Sequence, residues 1–212
     1  MVEVRSEASL ETPRVLVATR NAKKLEEMHR ILLEHLAEVE VLGLDDVATF
    51  DEPVEDEPTF AGNALLKARA GVAATGIATI ADDSGLCVDA LNGMPGVLSA
   101  RWSGPPKSDQ RNNELLLAQL SDVPDERRGA HFTCAVALVL PDGRELVVEG
   151  RMDGSVIREV RGAGGFGYDV LFVADDRPGL TTAELSREDK DAISHRGKAL
   201  REIAPQAAAL LR

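Results

Sequence analysis

Two adjacent carboxylates, Asp82 and Asp83, close the apolar run Ile77 to Ala81 and are followed by Ser84 and Gly85. In α/β folds ligands collect at the carboxyl ends of strands. Successive strand side chains point to opposite faces. One aspartate can therefore face a cleft while the other braces the turn expected over Asp82 to Gly85. A cleft-facing carboxylate suits a hard cation and can act as a base toward water. A second set, Thr19, Arg20, Asn21, Ala22, Lys23 and Lys24, follows another short apolar run. A strand feeding a helix N-terminus offers free N–H groups and the positive end of the helix dipole to a phosphate. Hydroxyl, amide and ammonium groups at 19, 21 and 24 add donors, although the glycines of a Walker A loop are missing. The acidic run Asp51, Glu52, Glu55, Asp56 and Glu57 can supply one more magnesium ligand, and spacing alone does not select which.

Gly162 to Asp169 (GAGGFGYD) carries Phe166 and Tyr168, two of the few aromatic residues in a chain that is 3% aromatic. Rings on such a loop are suited to stack a base. No strand-loop-helix follows, so the glycines are not a dinucleotide fingerprint. Lys190 precedes Ser194-His195-Arg196-Gly197. If Ser194 caps the last helix, His195 and Arg196 lie in its first turn, where cations are unfavourable unless an anion or a carbonyl-rich ligand stands opposite. The combined set has donors for phosphates, a carboxylate for a metal, a ring for a base and polar groups to read its edge.

Elements that must position these groups follow from periodicity and punctuation. Arg14 to Ala18 reads as a buried strand, followed by a helix with Leu25, Met28, Leu32 and Leu36 on one stripe. Val39 to Leu44 reads as a strand and Asp45 to Pro58 as a loop. Thr59 caps a helix to about Thr75, stopped by Gly76. Strands are expected at Ile77 to Ala81 and again from Leu86, then an ordered loop over Gly93 to Gly104. Asn112 to Leu120 is helical with Ser108 as cap. Phe132 to Leu140 and Glu145 to Met152 form a hairpin about Pro141 to Arg144. Gly154 to Val160 adds a third strand and Val170 to Val173 a short one. Ser186-x-x-Asp189 resembles a capping box, and the last helix carries Ala199, Leu200, Ile203 and Pro205. The pattern is α/β, a mixed twisted sheet in a two-lobed domain with a central cleft. Residues 1–13 read as a flexible tail and 14–212 as one domain.

The net charge of −12 repels a nucleic-acid backbone, whose binding normally needs a basic face, so no nucleic-acid partner is expected. No stretch approaches the ~18–20 apolar residues of a membrane helix. Cys87 and Cys134 sit in apolar runs and read as reduced core thiols, in keeping with a cytoplasmic protein.

The chain resembles the inosine-triphosphate pyrophosphatase family, the Ham1-like pyrophosphatases of non-standard purine nucleotides. The matching segments are Thr19 to Lys24, Thr59-Phe60 with Asn63-Ala64 and Lys67-Ala68, Ala81 to Leu86, and Pro95-Gly96 through Ser99-Ala100-Arg101 to Ser103-Gly104. Gly164 to Asp169, Ala183-Glu184-Leu185, Lys190 and Ile193 to Gly197 complete the set. The resemblance implies an elongated two-lobed domain, and a homodimer that uses Mg²⁺ to cleave XTP, ITP and dITP between the α- and β-phosphates. It implies that Asp83 binds the metal and accepts a proton, with Lys24 also catalytic and Glu55 as second metal ligand. Ser84, Thr19, Asn21 and Lys24 would hold phosphates, with Arg20, Ala22, Lys23 and Lys67 beside them. Phe166, Gly167, Tyr168, Asp169, Lys190, His195 and Arg196 would hold the nucleotide and its 6-oxo base. Two positions depart from the family pattern: Gly62 stands where a Glu is frequent, and Arg20 where a Gly is common. Two other readings share these residues, a hydrolase of modified pyrimidine triphosphates and a nucleotide-binding regulator without turnover.

Overall fold

The computed structural model describes residues 12–35 and 38–211. Its strands are β1 (Arg14–Val17), β2 (Glu40–Leu42), β3 (Ala78–Val88), β4 (Gly129–Val139), β5 (Glu145–Val156) and β6 (Phe172–Ala174). They form one mixed sheet in the order β2-β1-β3-β4-β5-β6. β1 is parallel to both β2 and β3, and the remaining pairings are antiparallel. The β1–β3 register sets Val17 against Ile80, and the Ala18 N–H continues the ladder to the Ile80 carbonyl. The chain leaving β1 at Thr19 therefore passes beside Asp82, which brings two motifs far apart in sequence to one place.

Two expected interruptions are absent. Asp82 to Gly85 forms no turn, because β3 runs unbroken for 11 residues and pairs with β4 throughout that stretch. Glu145 to Met152 and Gly154 onward form one 12-residue strand, β5, which ends at Val156. Long antiparallel pairing supplies ladder hydrogen bonds that outweigh the local turn preference of Asp, Ser and Gly. The second strand is shorter than expected, and Leu44–Asp46 is a 3₁₀ turn. Short 3₁₀ segments occupy Asp89–Leu91, at the end of the strand expected from Leu86, and Gly96–Arg101 within the expected loop.

The helices are α1 (Ala22–Leu33), α2 (Phe60–Thr75), α3 (Asp109–Gln119), α4 (Arg187–Ile193) and α5 (His195–Leu210). Asn21, Thr59, Ser108, Ser186 and Ser194 cap them in turn, each accepting first-turn N–H groups. α2 stops at Gly76, which is left-handed at φ 68°. α5 continues through Pro205 to Leu210. Leu36 of the expected α1 stripe and most of the expected tail lie outside the described residues; the Pro13 carbonyl accepts the Glu40 N–H.

α1 and α5 cover one sheet face, packing Met28, Leu32, Leu200 and Ile203 on Val15, Val17, Ile80 and Val136. α2 covers the other face with small residues, Ala64 and Ala68 against Ala81, Ala135 and Ala137. Beyond Ser84, β3 to β5 enter a second core where Leu86, Phe132 and Met152 meet Leu116, Tyr168 and Phe172. These two packing regions are the lobes, and the three long strands are common to both.

Candidate active site

A cleft of about 580 Å³ opens beside residues 83–85 of β3, within the usual size for small-molecule sites. Asp82 and Asp83 diverge as strand geometry requires, and both are buried. Asp82 points to the α1–α5 face, where Lys24 Nζ lies 2.9 Å and Arg196 Nε 3.2 Å from Oδ2. Burial alone would raise its carboxyl, but Lys24, Arg196 and Lys67 hold it far below the ordinary carboxylate range. Asp82 is thus a buried counter-ion.

Asp83 lines the cleft on the α2 side. Asn63, fully buried, donates to its Oδ2 at 3.0 Å, and Lys67 Nζ stands 3.9 Å from Oδ1. Burial raises the Asp83 carboxyl above its ordinary value; Lys67 and Lys24 offset this only in part, and Glu55 adds to the rise. A raised carboxyl is a stronger base once ionised. Lys67 Nζ also lies 2.7 Å from Glu55 Oε1, so two carboxylates converge on one cation. Burial would raise Glu55, but Lys67, Lys24 and Arg101 bring it below the usual value. Among the described residues no group of three or more His, Cys, Asp or Glu side chains is gathered for a metal. Two hard oxygen donors nevertheless fit magnesium, which keeps several waters and takes phosphate oxygens for the rest of its shell.

Thr19, Arg20, Asn21 and Lys24 line the cleft; Ala22 and Lys23 do not. Ala22 faces a smaller neighbouring pocket, and Lys23 Nζ donates to the Gly165 carbonyl at 2.7 Å. The Asn21 side chain already accepts the Lys23 and Lys24 N–H groups, so fewer helix amides are free for an anion than the sequence implies. Arg20 does not simply add charge: it pairs with Glu52 at 3.1 Å and donates to the Phe50 carbonyl. It ties the acidic loop to the end of β1.

At the other end, Lys190 Nζ and Arg196 Cζ stand 5.1 and 5.7 Å from the Phe166 ring centroid. Tyr168 differs from the expected stacking ring. It lines the cleft, but it is buried and its hydroxyl donates to the Ser99 carbonyl at 2.9 Å. Asp169 is buried too, accepting Lys190 Nζ at 2.6 Å and the Phe166 N–H at 2.8 Å. Nor is His195 a cation. Burial first, then Arg196, Lys190 and Lys24, keep its imidazole neutral well below its ordinary value, and it stacks on Phe132 at 4.9 Å. Arg196 is the helix-start cation, and the anions opposite it belong to the protein, Glu27 and Asp82, with Ser84 Oγ accepting at 2.9 Å.

Glu27 and Asp109 were missed from the sequence, and Asn63 and Arg101 were named there only as matching positions without a role. Glu27 carried a signal: it shares a helix face with Met28 and Ile31, an acid at a core position. Asn63 carried one as well, a polar side chain on the buried face of an alanine-rich helix. Arg101 donates to the Glu55 carbonyl and Asp109 accepts from Gly167, contacts between segments that no local pattern pairs. At Gly62, a side chain would run into Glu57, whose Cβ lies 2.8 Å from the position a Cβ would take. The loop carboxylate occupies the room that the glycine leaves.

The Ham1 family model matches residues 15–206. The chain is 61% identical over 198 residues to the dITP/XTP pyrophosphatase of Nocardia farcinica, covering 93% of this chain and 96% of that protein. A solved structure titled nucleoside-triphosphatase / dITP/XTP pyrophosphatase, from Mycobacterium abscessus, shares 57% identity. It covers 91% of this chain and 99% of its own, with a TM-score of 0.74. A HAM1 protein of Coxiella burnetii, at 36% identity, covers 93% and 99% with a TM-score of 0.84.

Proposed function

Because the chain belongs to the Ham1 family, we propose that it hydrolyses non-standard purine nucleoside triphosphates such as dITP and XTP, releasing a monophosphate and pyrophosphate. The observation that carries this is the mixed lining of one cleft. Carboxylates and lysines (Asp83, Glu55, Lys67, Lys24) share it with a ring and its polar neighbours (Phe166, Lys190, His195). A triphosphate and a purine need both environments within one site.

Asp83 and Glu55 would hold magnesium, which would supply charge neutralisation and polarisation at the phosphates. Asp83 accepts the proton of the attacking water. Lys67 and Lys24 stabilise charge that grows on the phosphate oxygens in the transition state. Thr19, Asn21 and Ser84 add donors along the tail. Asp82 pairs with Lys24 and Arg196 and holds them in place rather than touching the metal. At the base end, Lys190 and the neutral His195 present donors to O6. The 6-amino group of adenine would set donor against donor in a buried site, which costs about 1–3 kcal/mol. Two free, buried cysteines agree with a reducing, cytoplasmic setting.

The test is a comparison of kcat/KM for dITP, XTP, dATP and dGTP with Mg²⁺. The 6-oxo, non-standard substrates should exceed dATP by about 5- to 150-fold, the equivalent of that penalty. Equal values for dITP and dATP would refute the base-reading role.

A further inference from the structure

We infer that Asp109, Asn113 and Lys23 are positioning residues that set Phe166 for the nucleobase by gripping the backbone on either side of it. This rests on the reading of Phe166 as the base-contacting ring. The ring has no polar handle of its own, so its place is fixed through the chain that carries it. That chain is entropically expensive to order: residues 162–167 include four glycines. An aromatic contact on a loop that must be ordered at each binding event loses affinity to the ordering cost.

The structure meets that cost with hydrogen bonds from two helices. Lys23 of α1, in the first lobe, donates to the Gly165 carbonyl at 2.7 Å. Asp109 of α3, in the second lobe, accepts the Gly167 N–H at 2.7 Å. Asn113, one turn further along α3 and buried, donates to the Gly167 carbonyl at 3.0 Å. Phe166 itself donates its N–H to Asp169. Three consecutive residues are thereby held, the outer two from separate helices, and the bonds to Lys23, Asp109 and Asp169 are charge-assisted. Lys23 does not line the cleft, so its effect on the nucleotide is indirect.

Asp109 and Lys23 are exposed, and their substitution leaves the core intact. Asp109→Ala and Lys23→Met should each raise KM for dITP about tenfold while kcat stays within about twofold. Asp109→Asn, which keeps an acceptor for the Gly167 N–H, should restore KM. In a Phe166→Ala background, neither substitution should add a further effect. Unchanged KM in the single variants would overturn the positioning role, as would full effects that persist without the ring. If Phe166→Ala alone leaves KM unchanged, the base-contacting reading falls, and the positioning role falls with it.

Discussion

At the residue scale, the two aspartates of β3 divide their work by the pleat. Asp82 and Asp83 are neighbours in sequence, yet one carboxylate is drawn far down by Lys24 and Arg196 while burial drives the other up. The divergence of the pair was legible from strand alternation. The assignment of roles was not, because it depends on cations brought by α1, α2 and α5. Similarly, Tyr168 and Phe166 are two residues apart in one loop, but only the fold decides that Tyr168 is buried with its hydroxyl on the Ser99 carbonyl while the Phe166 ring faces Lys190 and Arg196. Asp83→Asn removes the proton acceptor and keeps the shape. It should lower kcat about 10³-fold while dITP still binds, measured by steady-state turnover and by calorimetric titration. Activity within threefold of the parent would refute the role of Asp83.

At the element scale, the site depends on how closely α5 approaches the sheet. Its first turn supplies His195 and Arg196, and Gly150 of β5 makes the approach possible: a Cβ there would fall on the His195 carbonyl oxygen and crowd the Ala199 N–H. Gly150→Ala should push the α5 start off the sheet. The expected result is a stability loss of about 1–3 kcal/mol by denaturant unfolding, together with a lower kcat/KM for dITP. Unchanged stability and activity would show that the approach is not tight. Helices were the elements best read from sequence, since caps and stops are local: Thr59 and Gly76 bracket α2 as expected. Strand lengths were misread where Asp82 to Gly85 and Asp153-Gly154 imitate turns. Cross-strand pairing with β4, a non-local interaction, keeps both strands extended.

At the scale of the whole molecule, the net charge of −12 and the binding of a polyanion are reconciled by local pairing. Lys24, Lys67, Arg101, Lys190 and Arg196 border one cleft, each beside a carboxylate that fixes its position. These buried and half-buried pairs cost desolvation energy when the chain folds, and they leave an array of oriented donors already in place for a triphosphate. The same cleft draws its lining from the end of β1 and from residues 166–169 alike. The account stands on cleavage between the α- and β-phosphates. The direct measurement is the product set formed from dITP and Mg²⁺, with pyrophosphate, phosphate and nucleotides quantified separately. Equimolar dIMP and pyrophosphate, with no dIDP, is the predicted result; dIDP and inorganic phosphate as the first products would contradict it.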